Sequence, residues 1–231
     1  MPIIFISGAL KGLGWMLART YARAGWVVFG GVLYPDEVKP IPGVTYIKHD
    51  QGTLTDSLEV MAHLKNEYGV EKLDVVIANA GVLISEASFR DAEPEAMDIT
   101  WRINVRGPLL LFQAAHPLLH KDSKFVVISS SRGRLGQHHY EGQALYAQSK
   151  AAVTFMAAKL HYEEPDLITL AIHPGLLKTE MGDKATRFHG PDDPAHSTED
   201  VAPKILKLIE GAKKDTISGQ LVDYEGNVLS W

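Results

Sequence analysis

Seven short runs of β-branched and apolar residues recur along the chain, each separated from the next by a longer stretch, and this alternation limits the fold more than any other feature. The runs are IIFIS (3–7), WVVFGGV (26–32), VTYIK (44–48), LDVVIANA (73–80), KFVVISS (124–130), LITLAIH (167–173) and GQLVDY (219–224). Most are apolar without interruption, the pattern of strands covered on both faces. Helical stretches lie near 12–24, 53–68, 95–119, 142–163 and 199–211. Strand and helix in strict alternation require right-handed crossovers and a parallel sheet. The expectation is an α/β, doubly wound parallel sheet of about seven strands with helices on both faces. In such a sheet ligands bind beyond the carboxyl ends of the strands, where the strand order reverses.

The 231 residues are 45% hydrophobic, enough to bury one large core. Pro, Gly, Ser and charge are spread along the chain without a linker, repeat or low-complexity tract, so one domain over 1–231 is expected. A net charge of −5 provides no basic stripe to neutralise phosphates, which speaks against nucleic acid or an anionic membrane as partner. No apolar run reaches the ~18 residues of a transmembrane helix, and PIIFIS lacks the basic region and cleavage site of a leader. Cysteine is absent, which removes disulfides, thiolate chemistry and cysteine metal sites and agrees with a reducing compartment. A cytoplasmic protein without a membrane segment is expected.

Directly after IIFIS comes SGALKGLG, whose Gly8, Gly12 and Gly14 open a helix. Glycine is needed where the chain turns tightly and where backbone approaches a pyrophosphate, and a helix N-terminus offers free N–H groups to phosphates. The spacing is Gly-x-x-x-Gly-x-Gly, and no Gly-Lys-Ser/Thr follows to make a P-loop. YAQSK at 146–150 sets Tyr146 and Lys150 one turn apart in the alanine-rich stretch ALYAQSKAAVTFMAAKL, on one helical face. An ammonium beside a phenol favours phenolate, moving a proton donor of ordinary pKa near ~10 toward working pH. The other Tyr-x-x-x-Lys, YGVEK at 68–72, contains Gly69 and falls between a helix end and a strand, so its two side chains need not share a face. His138 and His139 are adjacent and lack a ligand-spaced companion, so they are read as loop residues and no metal is expected. The polar, turn-rich stretch 182–198 has the composition of a lid over the site.

SGALKGLG, NAG (79–81), Asn104 in RINVRG, ISS (128–130), YAQSK and HPGLLKTEM (173–181) together resemble the ordered motif set of the short-chain dehydrogenase/reductase family. HPGLLKTEMG and DYEGNVLSW are further similar to its carbonyl reductase and ketoreductase branch, which includes fungal polyketide ketoreductases and C-factor-like proteins. The resemblance implies a single-domain Rossmann fold and a hydride transfer between NADP(H) and a ketone, aldehyde or alcohol. It implies that Tyr146 is the acid or base, that Lys150 also holds the nicotinamide ribose, and that Asn104 holds a water relaying protons through Lys150. Of Ser129, Ser130 and Ser131, strand alternation lets only one aim at Tyr146. The resemblance favours Ser130, and Ser131 remains open because the following loop is long. For the cofactor it implies Gly8, Lys11, Gly12, Leu13 and Gly14 in the first turn and Leu33 after the second strand. It adds Asp50 after the third, Asn79, Ala80 and Gly81 after the fourth, and Pro174, Gly175, Leu177 and Thr179 after the sixth.

NADP(H) is expected over NAD(H), because Leu33 and Tyr34 stand where an NAD site places an acid. Asp36 and Glu37 lie beyond Pro35, which should turn them away, and Lys11 can meet a 2′-phosphate. The resemblance and the apolar helices also imply a homodimer or homotetramer. A cofactor-binding regulator on the same fold is the alternative reading.

Overall fold

In the computed structural model, which describes residues 1–136, 141–186 and 195–231, strands and helices alternate along nearly the whole chain. The strands are β1 (Ile3–Ser7), β2 (Val27–Val32), β3 (Val44–Lys48), β4 (Leu73–Ala78), β5 (Leu119–Ile128), β6 (Ile168–His173) and β7 (Leu221–Asp223). The helices are α1 (Gly12–Arg23), α2 (Asp56–Tyr68), α3 (Pro94–Trp101), α4 (Gly107–Ala115), α5 (Ala144–Glu163), α6 (Glu180–Thr186) and α7 (Thr198–Gly211). All seven strands pair in parallel in the order β3-β2-β1-β4-β5-β6-β7. The order reverses between β1 and β4, and the carboxyl ends of these two strands carry the SGALKGLG and NAG turns.

Uninterrupted apolar strands follow from two buried faces. Successive residues of β1 point to opposite sides: Ile4 and Ile6 enter a cluster with Leu17 and Ile205 of α1 and α7. Phe5 enters the other cluster, with Leu64, Leu111, Phe125 and Leu160 beneath α2, α4 and α5. Burying an aliphatic side chain of this kind contributes about 1.5–3 kcal/mol, so both layers are held by the same strands. Among the described residues no helix is long and apolar enough to cross a membrane.

The structure corrects several expected boundaries. The helix expected at 95–119 is broken: α3 runs into a π-helical turn at Arg102–Arg106 before α4 begins. Gln51 Nε2 donates to Ile103 O, 3.0 Å, drawing a carbonyl that a continuous helix would keep. β5 starts at Leu119 instead of residue 124, with a pairing irregularity opposite Leu73 and Val75. Part of the stretch read as a lid is helical, since α6 occupies 180–186, and Lys178 N donates to His196 O while His196 N donates to Leu176 O. The rest of that stretch, 187–194, and His138 and His139 lie outside the described residues.

Candidate active site

The first turn is built by close approach. Gly8 has φ +71°, and a Cβ there would lie 2.7 Å from Ala80 Cα. A Cβ on Gly14 would lie 2.2 Å from Gly8 O and 2.4 Å from Asn79 Nδ2. Only glycine lets the strand end, the helix start and the 79–81 segment converge like this. Lys11 precedes α1 in extended conformation, and no side chain caps the helix. The first N–H groups of α1 therefore remain available to an anion. Gly12 and Leu13 begin the helix, and Thr179 Cγ2 approaches to 3.5 Å of a Cβ built on Gly12. The turn thus faces the segment after β6, where Gly175 has φ +77° beside Pro174 and Leu177 is buried. This cradle of glycines and free N–H groups suits a dinucleotide pyrophosphate.

A buried polar network holds the turn in place. Ser7 Oγ donates to Gln51 Oε1, 2.7 Å, and accepts from the N–H groups of Asn79 and Ala80, both 3.1 Å. Asn79 Nδ2 donates to Ser7 O and Gly8 O, at 2.9 and 3.1 Å. Gln51 also donates to Ala80 O, 3.0 Å. Ser7 and Gln51 were missed as functional residues in the sequence. Ser7 was visible only as the serine opening the glycine turn, and Gln51 only as the residue after Asp50.

Beyond β5 the chain brings Ser130, Tyr146, Lys150 and Asn104 together. The Ser130 hydroxyl lies near enough to the Tyr146 phenol to favour its ionised form. Ser129 instead contacts Thr154 Oγ1, 2.5 Å, and Ser131 begins a 3-10 turn at Ser131–Gly133. Lys150 is buried, and its Nζ donates to Ile128 O, 2.7 Å, at 5.4 Å from the Tyr146 ring centroid. Asn104, in the π-helical turn, accepts from Val82 N, 2.8 Å, and donates to Val82 O, 2.9 Å, and Ser149 Oγ, 3.0 Å. Ser149 Oγ in turn donates to Tyr146 O, 2.7 Å. A Cβ on Gly81 would meet Asn104 Oδ1 at 3.4 Å and Lys150 Nζ at 3.6 Å, so these three residues border one space. A π-bulge at such a place re-aims a side chain that a regular helix would point elsewhere.

Electrostatics depart from expectation. Burial pushes the Tyr146 phenol up to about 12, against the smaller downward pulls of the nearby Ser130 hydroxyl and the Arg132 cation. The downward shift expected from Lys150 is not found, because the amine is turned to Ile128 O and is itself lowered to about 8 by burial. YGVEK forms no comparable pair: Gly69 ends α2 in left-handed conformation and Tyr68 is exposed.

At the ends of β2 and β3 a cavity of about 530 Å³ is lined by Leu33, Tyr34, Asp36, Glu37, Lys48 and Asp50. Here too an expectation is corrected. Pro35 starts a 3-10 turn, Pro35–Glu37, that keeps Asp36 and Glu37 at the cavity. Asp50 Oδ1 accepts from Gly52 N, 2.8 Å. Lys11 pairs with Glu180, both largely exposed. No group of three or more His, Asp or Glu among the described residues is placed to hold a metal ion.

Residues 2–189 match the family model described as short chain dehydrogenase. The chain belongs to this family. It is an oxidoreductase, and its relatives include fungal ketoreductases. Norsolorinic acid ketoreductase of Aspergillus parasiticus is 32% identical over 184 residues, covering 77% of this chain and 68% of that protein. The carbonyl reductase Sniffer of D. melanogaster superposes with a TM-score of 0.88 at 20% identity, over 100% of both chains. An NADPH-bound carbonyl reductase from chicken fatty liver gives 0.87 at 21% identity, again over 100% of both. At these identities the two structures show the fold alone.

Proposed function

We propose that the chain is an NADP(H)-dependent carbonyl reductase of the cytoplasm, acting on a ketone or aldehyde or on the matching alcohol. The observation that carries this reading is the convergence beyond β5 of Ser130 and Tyr146, with Lys150 Nζ 5.4 Å from the Tyr146 ring centroid and Asn104, Lys150 and Gly81 bordering one space. A bound nicotinamide would supply or take up the hydride, leaving the chain to bind, orient and move a proton. The glycine turn, Asn79–Gly81 and the Pro174–Thr179 segment would hold the dinucleotide, with Leu33 and Asp50 at its adenosine end.

Ser130 donates to the substrate oxygen and fixes it beside the phenol. Tyr146, protonated at neutral pH because burial opposes its ionisation, gives its proton to the oxygen as negative charge develops there. Lys150 supplies donors to the ribose and takes part in proton replacement from the solvent side, through a water on Asn104. Lys11 meets the 2′-phosphate and selects NADP(H). A homo-oligomer is part of the same reading, supported by Met97, Trp101 and Leu109 on α3 and α4 and Phe155 and Tyr162 on α5, all exposed.

The test is NADPH consumption over a panel of ketones and aldehydes, with Tyr146→Phe alongside. The variant should lose about 10²- to 10⁴-fold in turnover while binding NADPH as the parent does. Near-normal turnover in Tyr146→Phe would overturn the assignment. Lys11→Ala should weaken NADPH by about 10- to 150-fold and spare NADH, and equal losses would remove Lys11 from the role.

A further inference from the structure

We infer that the hairpin formed by β7 and residues 224–231 is a positioning element of the active site, and that it acts through Arg134 to hold the Ser130 hydroxyl in register with the segment after β6. This rests on the catalytic reading above and names a further residue on which that site depends.

β7 pairs in parallel with β6, with Asp223 opposite His173, so the chain leaves the sheet at the carboxyl end, where the site lies. Asp223 builds the reversal that follows. Its Oδ1 accepts from Glu225 N and Asn227 N, both 2.9 Å, and its Oδ2 from Asn227 Nδ2, 2.8 Å. The chain then returns beside β7: Val228 bridges Val222, and Leu229 N donates to Leu221 O, 2.8 Å. Covering the edge of the sheet would require no more than this.

Residues 230 and 231 go further and meet the turn that carries the serine. Arg134 Nε donates to Ser230 O, 2.7 Å, and its Nη2 to Ser230 Oγ, while Gly136 N donates to Trp231 O, 2.9 Å. A Cβ on Gly136 would lie 2.8 Å from Trp231 O, so backbone meets backbone there. On its other flank the turn is wedged against α5, where a Cβ on Gly133 would lie 2.5 Å from Ala151 N and 2.7 Å from Lys150 C. Within the turn Gly133 N donates to Ser130 O, 3.0 Å, and Arg132 N to Ser130 Oγ, 3.2 Å. A displacement of Arg134 is therefore passed along these bonds to the serine hydroxyl.

The same hairpin reaches the cofactor side. A Cβ on Gly175 would lie 3.1 Å from Tyr224 Cε1, so this ring packs on the backbone of the segment that would hold the dinucleotide. Tyr224 is itself fixed: its OH lies 3.3 Å from His196 Nε2, and Lys204 Nζ stands 4.9 Å from its ring centroid and 2.8 Å from Glu225 Oε1. One hairpin thus ties the serine turn to the cofactor segment. A hydroxyl that must hold the substrate oxygen beside a bound nicotinamide needs this relation fixed, since misplacement by about 1 Å can cost about 10²-fold in rate. The Arg134 contacts are open to solvent and add little to stability, so their loss should appear in turnover instead.

The test is a double-mutant cycle over Ser130→Ala and Arg134→Met, with Arg134→Lys beside it. It reads kcat and KM on a ketone that the parent reduces, the dissociation constant of NADPH and the melting temperature. Arg134→Met should lower kcat by about 10- to 100-fold while melting and binding NADPH as the parent does. Arg134→Lys, which keeps a cationic donor, should recover part of the loss. In the Ser130→Ala background Arg134→Met should change kcat by less than about twofold, because the group it positions is gone. An Arg134→Met enzyme as fast as the parent, or a loss equally large with and without Ser130, overturns the inference while the reductase reading stands on the parent's turnover. Ser130→Ala turnover equal to the parent's removes the serine from the mechanism and the inference with it. If no carbonyl of the panel is reduced, amide hydrogen exchange of the NADP⁺-saturated protein decides. Exchange faster by about tenfold or more at Arg132 and Gly133 in Arg134→Met, with α5 unchanged, supports the inference. Unchanged exchange, or acceleration throughout the chain, rejects it. A parent that binds no NADP⁺ fails the reductase reading itself, and the inference falls with it.

Discussion

The buried amine of Lys150 should leave a signature in stability that is independent of catalysis. Burial lowers it to about 8 from its ordinary 10.5. Below pH 8 the amine is protonated in both the folded and the unfolded chain, and the folded protein bears the full cost of a buried cation. Between pH 8 and 10.5 the unfolded chain binds the extra proton, so stability rises with pH across that window. At ~1.4 kcal/mol per pH unit the whole effect is about 3 kcal/mol, of which about 2 to 3 is recovered by pH 10. Lys150→Met removes the titrating group and the hydrogen bond to Ile128 O together. Urea unfolding of the cofactor-free protein at pH 7 and pH 10 should therefore show the parent gaining about 2 to 3 kcal/mol more than the variant over that interval. Taking the difference between the two proteins removes the contribution of exposed lysines and tyrosines, which both share. If parent and variant changed in parallel to within about 1 kcal/mol, the amine would not be held in the buried, discharged state and the reasoning would fail.

Asn104→Ala should lower stability by about 2–4 kcal/mol, because it strands the N–H and C=O of Val82 and one bond to Ser149. In a chain of this size that is a melting shift of about 5–15 °C, and a shift below 2 °C would contradict it. Gly14→Ala should abolish tight NADPH binding and cost several kcal/mol, since its Cβ would overlap Gly8 O and Asn79 Nδ2. Gly211→Ala, where no atom lies within 4 Å, is the matching control and should fold and bind as the parent does.

The parallel sheet was legible because both-face burial leaves a signal in each strand, and IIFIS, WVVFGG and LITLAIH keep it from end to end. The start of β5 was not. After Leu119 its first residues, HKDS, are polar, and pairing passes from Leu73–Leu119 to Val75–Lys124 through an irregular register in which Asp122 adopts φ +66°. The break at Arg102–Arg106 was equally hidden, because its causes come from elsewhere in the chain. Gln51 takes the Ile103 carbonyl, Val82 takes both ends of the Asn104 amide, and a Cβ on Gly107 would strike Gln51 at 2.3 Å. Local helix preference carries no record of partners tens of residues away.

At the site, spacing told which atoms can meet and burial decided their charge. The i, i+4 relation of Tyr146 and Lys150 was readable, but the direction of the tyrosine shift depends on where the amine points, and Ile128 O claims it. The cofactor argument has the same structure. Lys11 was readable as a base before Gly12, whereas its pairing with Glu180 and the presence of Asp36 and Glu37 at the cavity beyond β2 required the fold. An exposed ion pair such as Lys11–Glu180 is weak, and a charge-assisted bond to a phosphate is stronger. Exchange of Glu180 for a 2′-phosphate on Lys11 is therefore favourable by itself, and the acids of the cavity oppose it. Among the described residues, Lys48 is the one base lining that cavity with them. The proposed preference for NADP(H) then requires two lysines to outweigh the four carboxylates of that cavity, Asp36, Glu37, Asp50 and Asp56, a narrower margin than the absence of an acid at Leu33 had implied.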